Sequence, residues 1–207
     1  MELLMTYDSP LGTMTFSSDG MALTGLRFNG QKYFPAFPEA TTAQTEIPLW
    51  KETKTWLDIY FSGAEPPFTP PLLFWGTPFQ KTVWELILRV PYGKTVSYGE
   101  LAKLAAAKTG KIRMSARAVG TALGHNPVLL IAPCHRVIRA DGSLGGYAAG
   151  LERKEALLKL EDADFSGTYG GMKRETPEHA SNSRLCINSL DRSRFFPYNS
   201  KSEEGEQ

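Results

Sequence analysis

The stretch Ser97-Tyr98-Gly99-Glu100-Leu101-Ala102-Lys103-Leu104-Ala105, followed by Gly110 and then by Ser115-Ala116-Arg117-Ala118-Val119-Gly120-Thr121-Ala122-Leu123-Gly124, decides how the second half of the chain folds. Ser97 and Glu100 stand at capping-box spacing, where the Ser side chain takes the N3 amide and the Glu side chain reaches back to the cap's own amide. Ser115 can cap a second helix through about residue 123, with Gly124 as its stop. Two short helices joined by a turn containing Gly110 describe a helix-turn-helix. Upstream, Phe79, Val83, Ile87 and Val90 recur on one helical face, and Pro91-Tyr92-Gly93-Lys94 breaks it. Downstream, residues 128–131 are continuously apolar, a short buried segment that delivers Pro133-Cys134. A Gly-rich loop at 142–150 and a last helix at 151–160 follow.

The first part reads as a small α/β unit. Residues 7–9, 14–16 and 23–28 alternate as half-buried strands do, with a turn at Pro10-Leu11-Gly12 and a hairpin signal at Asp19-Gly20. Trp50, Trp56, Leu57, Tyr60 and Phe61 give an apolar helical face over 48–62, and Gly63 ends it. Residues 64–78, with Pro66, Pro67, Pro70 and Pro71, read as an extended linker that holds the domain boundary. The expectation is therefore an α/β N-terminal domain over 1–75 and a mainly α domain with a helix-turn-helix over 76–164. Residues 165–207 lack sustained periodicity and read as a disordered tail.

A chain of 207 residues with 42% apolar and 22% charged content suits an ordinary globular protein. No apolar run reaches the roughly 18 residues of a membrane span, and the N-terminus lacks the pattern of a signal peptide. The two cysteines, Cys134 and Cys186, could be joined by a disulfide, but their contexts suggest free thiols in a reducing cytosolic setting, and no zinc-ligand spacing is present. The net charge of +1 hides an asymmetry. Residues 1–75 carry 4 Lys/Arg against 8 Asp/Glu, a net of −4, whereas residues 76–164 carry 13 against 8, a net of +5. A basic middle segment fits a polyanionic partner or, equally, charge scattered over solvated faces.

Cys134 at the end of an apolar run could be a small buried hydrophobe. The adjacent His135 does not settle the matter, because neighbours on a strand face opposite ways. Pro133 permits a sharp turn on which thiol and imidazole address a common site, the imidazole drawing off the thiol proton directly or through a water.

Pro133-Cys134-His135-Arg136-Val137-Ile138 resembles the active-site motif of the O6-alkylguanine-DNA alkyltransferases. The likeness extends to Asn126-Pro127, Gly145-Gly146-Tyr147-Ala148-Ala149-Gly150, Lys154-Glu155-Ala156-Leu157-Leu158, Ser97-Tyr98 and Ala116-Arg117-Ala118-Val119-Gly120. It also includes Tyr7-Asp8-Ser9-Pro10-Leu11-Gly12, and it spans residues from about 4 to 164. The resemblance implies a ribonuclease H-like N-terminal domain, a winged-helix-like second domain, and double-stranded DNA bearing O6-alkylguanine as partner. It implies irreversible, stoichiometric transfer of the alkyl group from O6 of guanine, or O4 of thymine, to Cys134, with no cofactor or metal. His135 would serve as base with Glu161 behind it, Tyr98 as donor to the departing guanine, and Asn126 as hinge. Arg117 would fill the stack after base flipping, with Ser115, Ala116, Tyr98, Gly99 and Arg136 at the DNA. Pro133, Tyr147, Ala148 and Ala149 would line the lesion pocket. Lys108, Lys111 and Arg113 are further candidates for phosphate contacts.

The small residues of helix 115–123 suit close approach in a minor groove, where readout is degenerate; tight helix packing explains them as well. Ala149 stands where the family commonly has Gly, which suggests a narrower pocket. A monomer in the cytoplasm, or in the nucleus of a eukaryote, is expected. The alternative within the same family is a protein that binds and flags alkyl lesions without transfer; such relatives lack the cysteine. A helix-turn-helix regulator would not explain residues 133–138, and a Cys-His hydrolase would not explain the helix pair.

Overall fold

The computed structural model describes residues 2–34, 41–42 and 47–165. β1 (Leu3–Ser9), β2 (Gly12–Ser18) and β3 (Leu23–Phe28) form an antiparallel meander, and β4 (Thr41–Thr42) pairs parallel to β1, giving the order β3-β2-β1-β4. The period of two on β2 sends Met14 and Phe16 to one fully buried face. α1 (Pro48–Phe61) covers it, with the Trp50 ring 5.3 Å from that of Phe16. Pro48 opens this helix with a φ already suited to it, and Gly63, at φ +85, leaves it.

The Pro-rich stretch is extended, as expected, and it is also paired. Leu23 N donates to Pro71 O and Leu73 N to Leu23 O, each at 2.8 Å. On the same strand, Leu26 N donates to Pro127 O at 2.9 Å and Leu129 N to Leu26 O at 2.8 Å. The outer edge of β3, which would otherwise present open backbone groups, is thus closed by the linker and by the segment leading to Cys134. One continuous apolar cluster runs from Met14 and Phe16 through Val83 and Leu101 to Leu157.

α2 (Pro78–Ile87) begins with a capping box between Thr77 and Gln80 and stops one turn before Val90, which remains buried. β5 (Val96–Ser97) leads into α3 (Tyr98–Lys108), whose Ser97–Glu100 capping box forms in both directions. α4 (Ala116–Gly124) is capped by Ser115, whose hydroxyl accepts from Ala118 N at 3.0 Å. Gly124 was expected beyond this helix but lies within it, and His125 is the C-cap. Trp84 Nε1 donates to Ala122 O at 2.8 Å and ties α2 to α4.

β6 (Val137–Ile138) pairs parallel with β5, Val96 beside Val137 and Ser97 beside Ile138. That short ladder holds the start of α3 next to the residues following Cys134. α5 (Leu151–Leu160) closes the described chain. Its Arg153 donates through Nε to Leu11 O at 2.9 Å and so grips the β1–β2 turn, where Gly12 adopts φ +113. Among the described residues no helix is long and apolar enough to cross a membrane. The tail beyond residue 165, with Cys186, lies outside the described residues.

Candidate active site

Pro133, at φ −82 and ψ 67, turns the chain out of the apolar segment, and Cys134–Arg136 form a single 3-10 turn. With three residues per turn, successive side chains diverge by roughly 120° instead of alternating. Cys134, His135 and Arg136 are all buried. The Cys134 sulfur accepts from Asn126 Nδ2 at 3.2 Å, and the same amide donates to Ala132 O at 2.7 Å. Asn126 Oδ1 accepts from Val128 N at 3.1 Å, so one side chain braces both ends of the 128–132 loop. Burial pushes the Cys134 thiol up to about 11, against the opposing pull of the Asn126 hydrogen bond and the Lys154 charge. The resting sulfur is a thiol.

Glu161 caps α5 at its C-terminus and is 3% exposed. Its Oε1 lies 2.7 Å from His135 Nε2 and accepts from the Tyr60 hydroxyl at 2.6 Å; its Oε2 accepts from Arg136 Nε at 2.8 Å and Gly93 N at 3.2 Å. Burial opposes ionisation of this carboxyl, but His135 and Arg136 outweigh it and hold the group well below the usual carboxylate range. Gly93 is required where it stands: at φ +69, a Cβ would meet the Glu161 carbonyl oxygen at 2.9 Å.

Burial lowers the His135 pKa, and Glu161 only partly offsets this. The imidazole is therefore neutral at neutral pH. Both neighbours of Nε2 are acceptors, since the Tyr60 hydrogen is committed to Glu161, so the network assigns the proton to Nε2. Nδ1 keeps the lone pair and is buried without a protein partner. A neutral imidazole with its free nitrogen turned away from its carboxylate is equipped to accept a proton.

Tyr98 and Lys154 tie the Gly-rich loop to this cluster. The Tyr98 hydroxyl donates to Gly146 O at 3.2 Å, and burial, followed by Cys134, raises its pKa to about 12. Gly145, at φ +67, lies so close that a Cβ would stand 2.7 Å from Tyr98 Cε2. Lys154 is fully buried, and its ammonium donates to Val137 O at 2.6 Å, Gly146 O at 3.3 Å and Leu144 O. Burial pushes this ammonium down to about 8. The Tyr147 ring stands edge-on to His135 at 6.4 Å, its hydroxyl buried without a protein partner.

Of the residues expected from the sequence, Cys134, His135, Glu161, Asn126, Tyr98, Tyr147 and Pro133 thus come together. Ala148 is half-buried and its carbonyl accepts from Lys32 N at 3.1 Å, while Ala149 sits in the apolar cluster. Ser115, Ala116, Arg117 and Gly99 are exposed on the first turns of α4 and α3. Arg136 departs from expectation. Its guanidinium is spent on Glu161 and on Val90 O, at 2.5 Å, so it stiffens the site instead of facing DNA. Lys108 likewise pairs with Glu85. Among the described residues no group of three or more His, Cys, Asp or Glu is placed to hold a metal ion.

Tyr60 and Lys154, which the sequence suggests only as a helix-face residue and a motif residue, belong to the site as well. A Tyr on a core-facing helix stripe needs a partner for its hydroxyl when buried. Lys154 shares the buried face of α5 with Leu157 and Leu158 at i+3 and i+4. Both signals were available.

A buried thiol followed in sequence by an imidazole that a carboxylate orients supplies the residue types that a cysteine nucleophile needs. Residues 78–163 match the family described as 6-O-methylguanine DNA methyltransferase, DNA binding domain, and residues 3–74 match its ribonuclease-like domain. The methylated-DNA--protein-cysteine methyltransferase of Mycobacterium tuberculosis is 45% identical over 157 residues, 75% of this chain and 90% of that protein. The Methanosarcina acetivorans protein of the same name is 41% identical over 155 residues, covering 75% and 95%. The crystal structure of Mycobacterium tuberculosis OGT in complex with DNA superposes with a TM-score of 0.69 at 41% identity, covering 77% of this chain and 92% of that one. This chain belongs to the 6-O-methylguanine DNA methyltransferase family.

Proposed function

We propose that this chain repairs DNA by irreversible, stoichiometric transfer of an alkyl group, typically methyl, from O6 of guanine or O4 of thymine to the sulfur of Cys134. The observation that carries the reading is the His135–Glu161 contact at 2.7 Å, which leaves imidazole Nδ1 open next in sequence to a buried thiol. His135 takes the thiol proton, directly or through a water, as sulfur attacks the alkyl carbon in line with its bond to O6. The carbon–oxygen bond breaks with its electron pair on guanine. Tyr98, on the first turn of α3, supplies a hydrogen bond to the departing base, and the proton held by His135 balances the guanine anion. Glu161 stabilises the imidazolium meanwhile, in the nucleophile-base-carboxylate logic of other cysteine sites. Among the described residues the thioether product has no group beside it able to cleave a carbon–sulfur bond, so each molecule reacts once and no cofactor is called for.

The partner is double-stranded DNA containing the lesion. Residues 1–75 form the scaffold domain and 76–164 the DNA-binding and acceptor domain, with α3, the turn and α4 as a winged-helix-like helix-turn-helix. The small exposed residues Ser115 and Ala116, with Gly99, allow α4 close approach to the minor groove. Arg117 fills the stack when the lesion rotates into the pocket formed by Pro133, Tyr147, Ala148 and Ala149. Flipping costs a few kcal/mol, least for a badly paired base. Lys111 and Arg113 add salt-sensitive phosphate contacts. The protein acts as a monomer, in the cytoplasm or in a eukaryotic nucleus.

Peptide mapping after incubation with duplex carrying O6-methylguanine tests the reading. Methyl on the peptide containing Cys134, and none in Cys134→Ala, is expected. Tight lesion binding by the wild-type chain without transfer would point instead to a flagging protein.

A further inference from the structure

Tyr60 reaches the Cys134 cluster from α1, in the sheet-bearing half of the molecule. Its ring is fully buried, stacked on Trp56 at 5.2 Å and edge-on to Tyr92 at 6.0 Å, so it cannot swing aside. Its hydroxyl donates to Glu161 Oε1 at 2.6 Å and lies 3.3 Å from His135 Nε2. Among the described residues, no other side chain of that half hydrogen-bonds to either. A Phe would pack here equally well, and a buried hydroxyl costs free energy unless it is bonded.

We propose that Tyr60 is a positioning residue of the transfer reaction, through which the N-terminal half sets how strongly Glu161 holds the His135 imidazole. This rests on the reading of Cys134 as alkyl acceptor. Oε1 is shared between Tyr60, His135 and Arg136 Nη2. Each further donor to the carboxylate lessens its pull on an imidazolium proton, so Tyr60 keeps His135 less basic and ready to receive the thiol proton. The other groups bearing on His135 are Arg136 on its own turn and Lys154 on α5, with the neutral Tyr147 ring edge-on at 6.4 Å. Tyr60 alone among these non-carboxylate groups bridges imidazole and carboxylate without adding charge. Removing its hydroxyl loses a strong donor to Glu161 and only a weak contact to Nε2, so the net effect is a more basic His135.

The test follows the His135 ring nitrogens by NMR against pH in the full chain and records single-turnover methyl transfer over the same range. Tyr60→Phe is expected to raise the imidazole midpoint by about one pH unit, a roughly tenfold change in its protonation equilibrium, and to carry the acid limb of the rate upward with it. 3-Fluorotyrosine at position 60, a stronger donor of the same shape, is expected to move both downward. The fluorinated arm keeps ring and hydroxyl, so it decides the question even where Tyr60→Phe does not fold. Transfer slowed equally at every pH, with the midpoint unmoved, would overturn the proposal, because lost packing alone does that. Shifted midpoints in a chain whose wild type moves no methyl would overturn the assignment to this reaction and place the failure in the alkyl-acceptor reading.

Discussion

Asn126 uses both hydrogens of its amide at once, one on the Cys134 sulfur at 3.2 Å and one on the Ala132 carbonyl at 2.7 Å. It is the link between the end of α4 and the reactive residue. Asn126→Ala would strand the Val128 amide inside the core and leave the Ala132 carbonyl with the Cys134 amide alone. The expected loss is about 2–3 kcal/mol of stability in denaturant unfolding, together with a higher pKa for Cys134, read from its rate of thiol alkylation against pH. A stable variant with an unchanged thiol pKa would contradict the bracing role.

Gly145 permits no side chain. A Cβ would stand 2.7 Å from Tyr98 Cε2 and 2.9 Å from its hydroxyl, at a φ of +67 that other residues rarely adopt. Gly145→Ala must displace either the loop or Tyr98. Methyl transfer should slow by about an order of magnitude or more if the Tyr98 hydrogen bond to the departing base is lost. A Gly145→Ala protein with wild-type transfer rates would remove Tyr98 from the mechanism.

The acid sensitivity of the fold has two sources with the same sign. His135 has a folded pKa below its ordinary 6.5, chiefly from burial, so the unfolded chain binds more protons and stability falls as pH drops below that value. Glu161 is held below its ordinary 4.5 once His135 and Arg136 overcome burial, so its contribution, present above 4.5, is lost on further acidification. Melting temperature should therefore decline from neutral pH toward pH 5 and then more steeply. His135→Gln should flatten the first part of this profile. An identical profile in that variant would show that His135 is not buried in neutral form.

Arg117 is exposed on the first turn of α4. Arg117→Ala should slow transfer from duplex DNA by about an order of magnitude or more, reflecting the few kcal/mol of flipping, while leaving transfer from the free base O6-benzylguanine near wild type. Equal losses on both substrates would place Arg117 in the pocket's chemistry instead of in DNA handling.

Much of this was legible in the sequence because it was local. The Ser97–Glu100 capping box, the Ser115 cap and the break at Pro133 each depend on spacings of a few residues. β1, β2 and β3 were legible through alternation, although β1 runs further toward the N-terminus than its alternating residues suggest; the two-residue β4, β5 and β6 are too short to show a period. The burial of Arg136 was not legible: its partners Glu161 and Val90 lie 25 and 46 residues away, and surface and core arginines look alike in sequence. Tyr60 meets Glu161 across 101 residues, a long-range contact that no local spacing announces. Gly124 is the last residue of α4 instead of the first beyond it, a one-residue difference of the size by which helix ends ordinarily fray.

The central claim is that Cys134 is a one-time acceptor. Intact mass of the full chain, measured against a growing excess of duplex containing O6-methylguanine, tests it most directly. The mass should rise by one methyl in place of one thiol hydrogen, plateau there, and stay unmodified in Cys134→Ala. Repeated conversion of lesions by protein of unchanged mass, or a methyl that appears on a residue other than Cys134, would contradict the account.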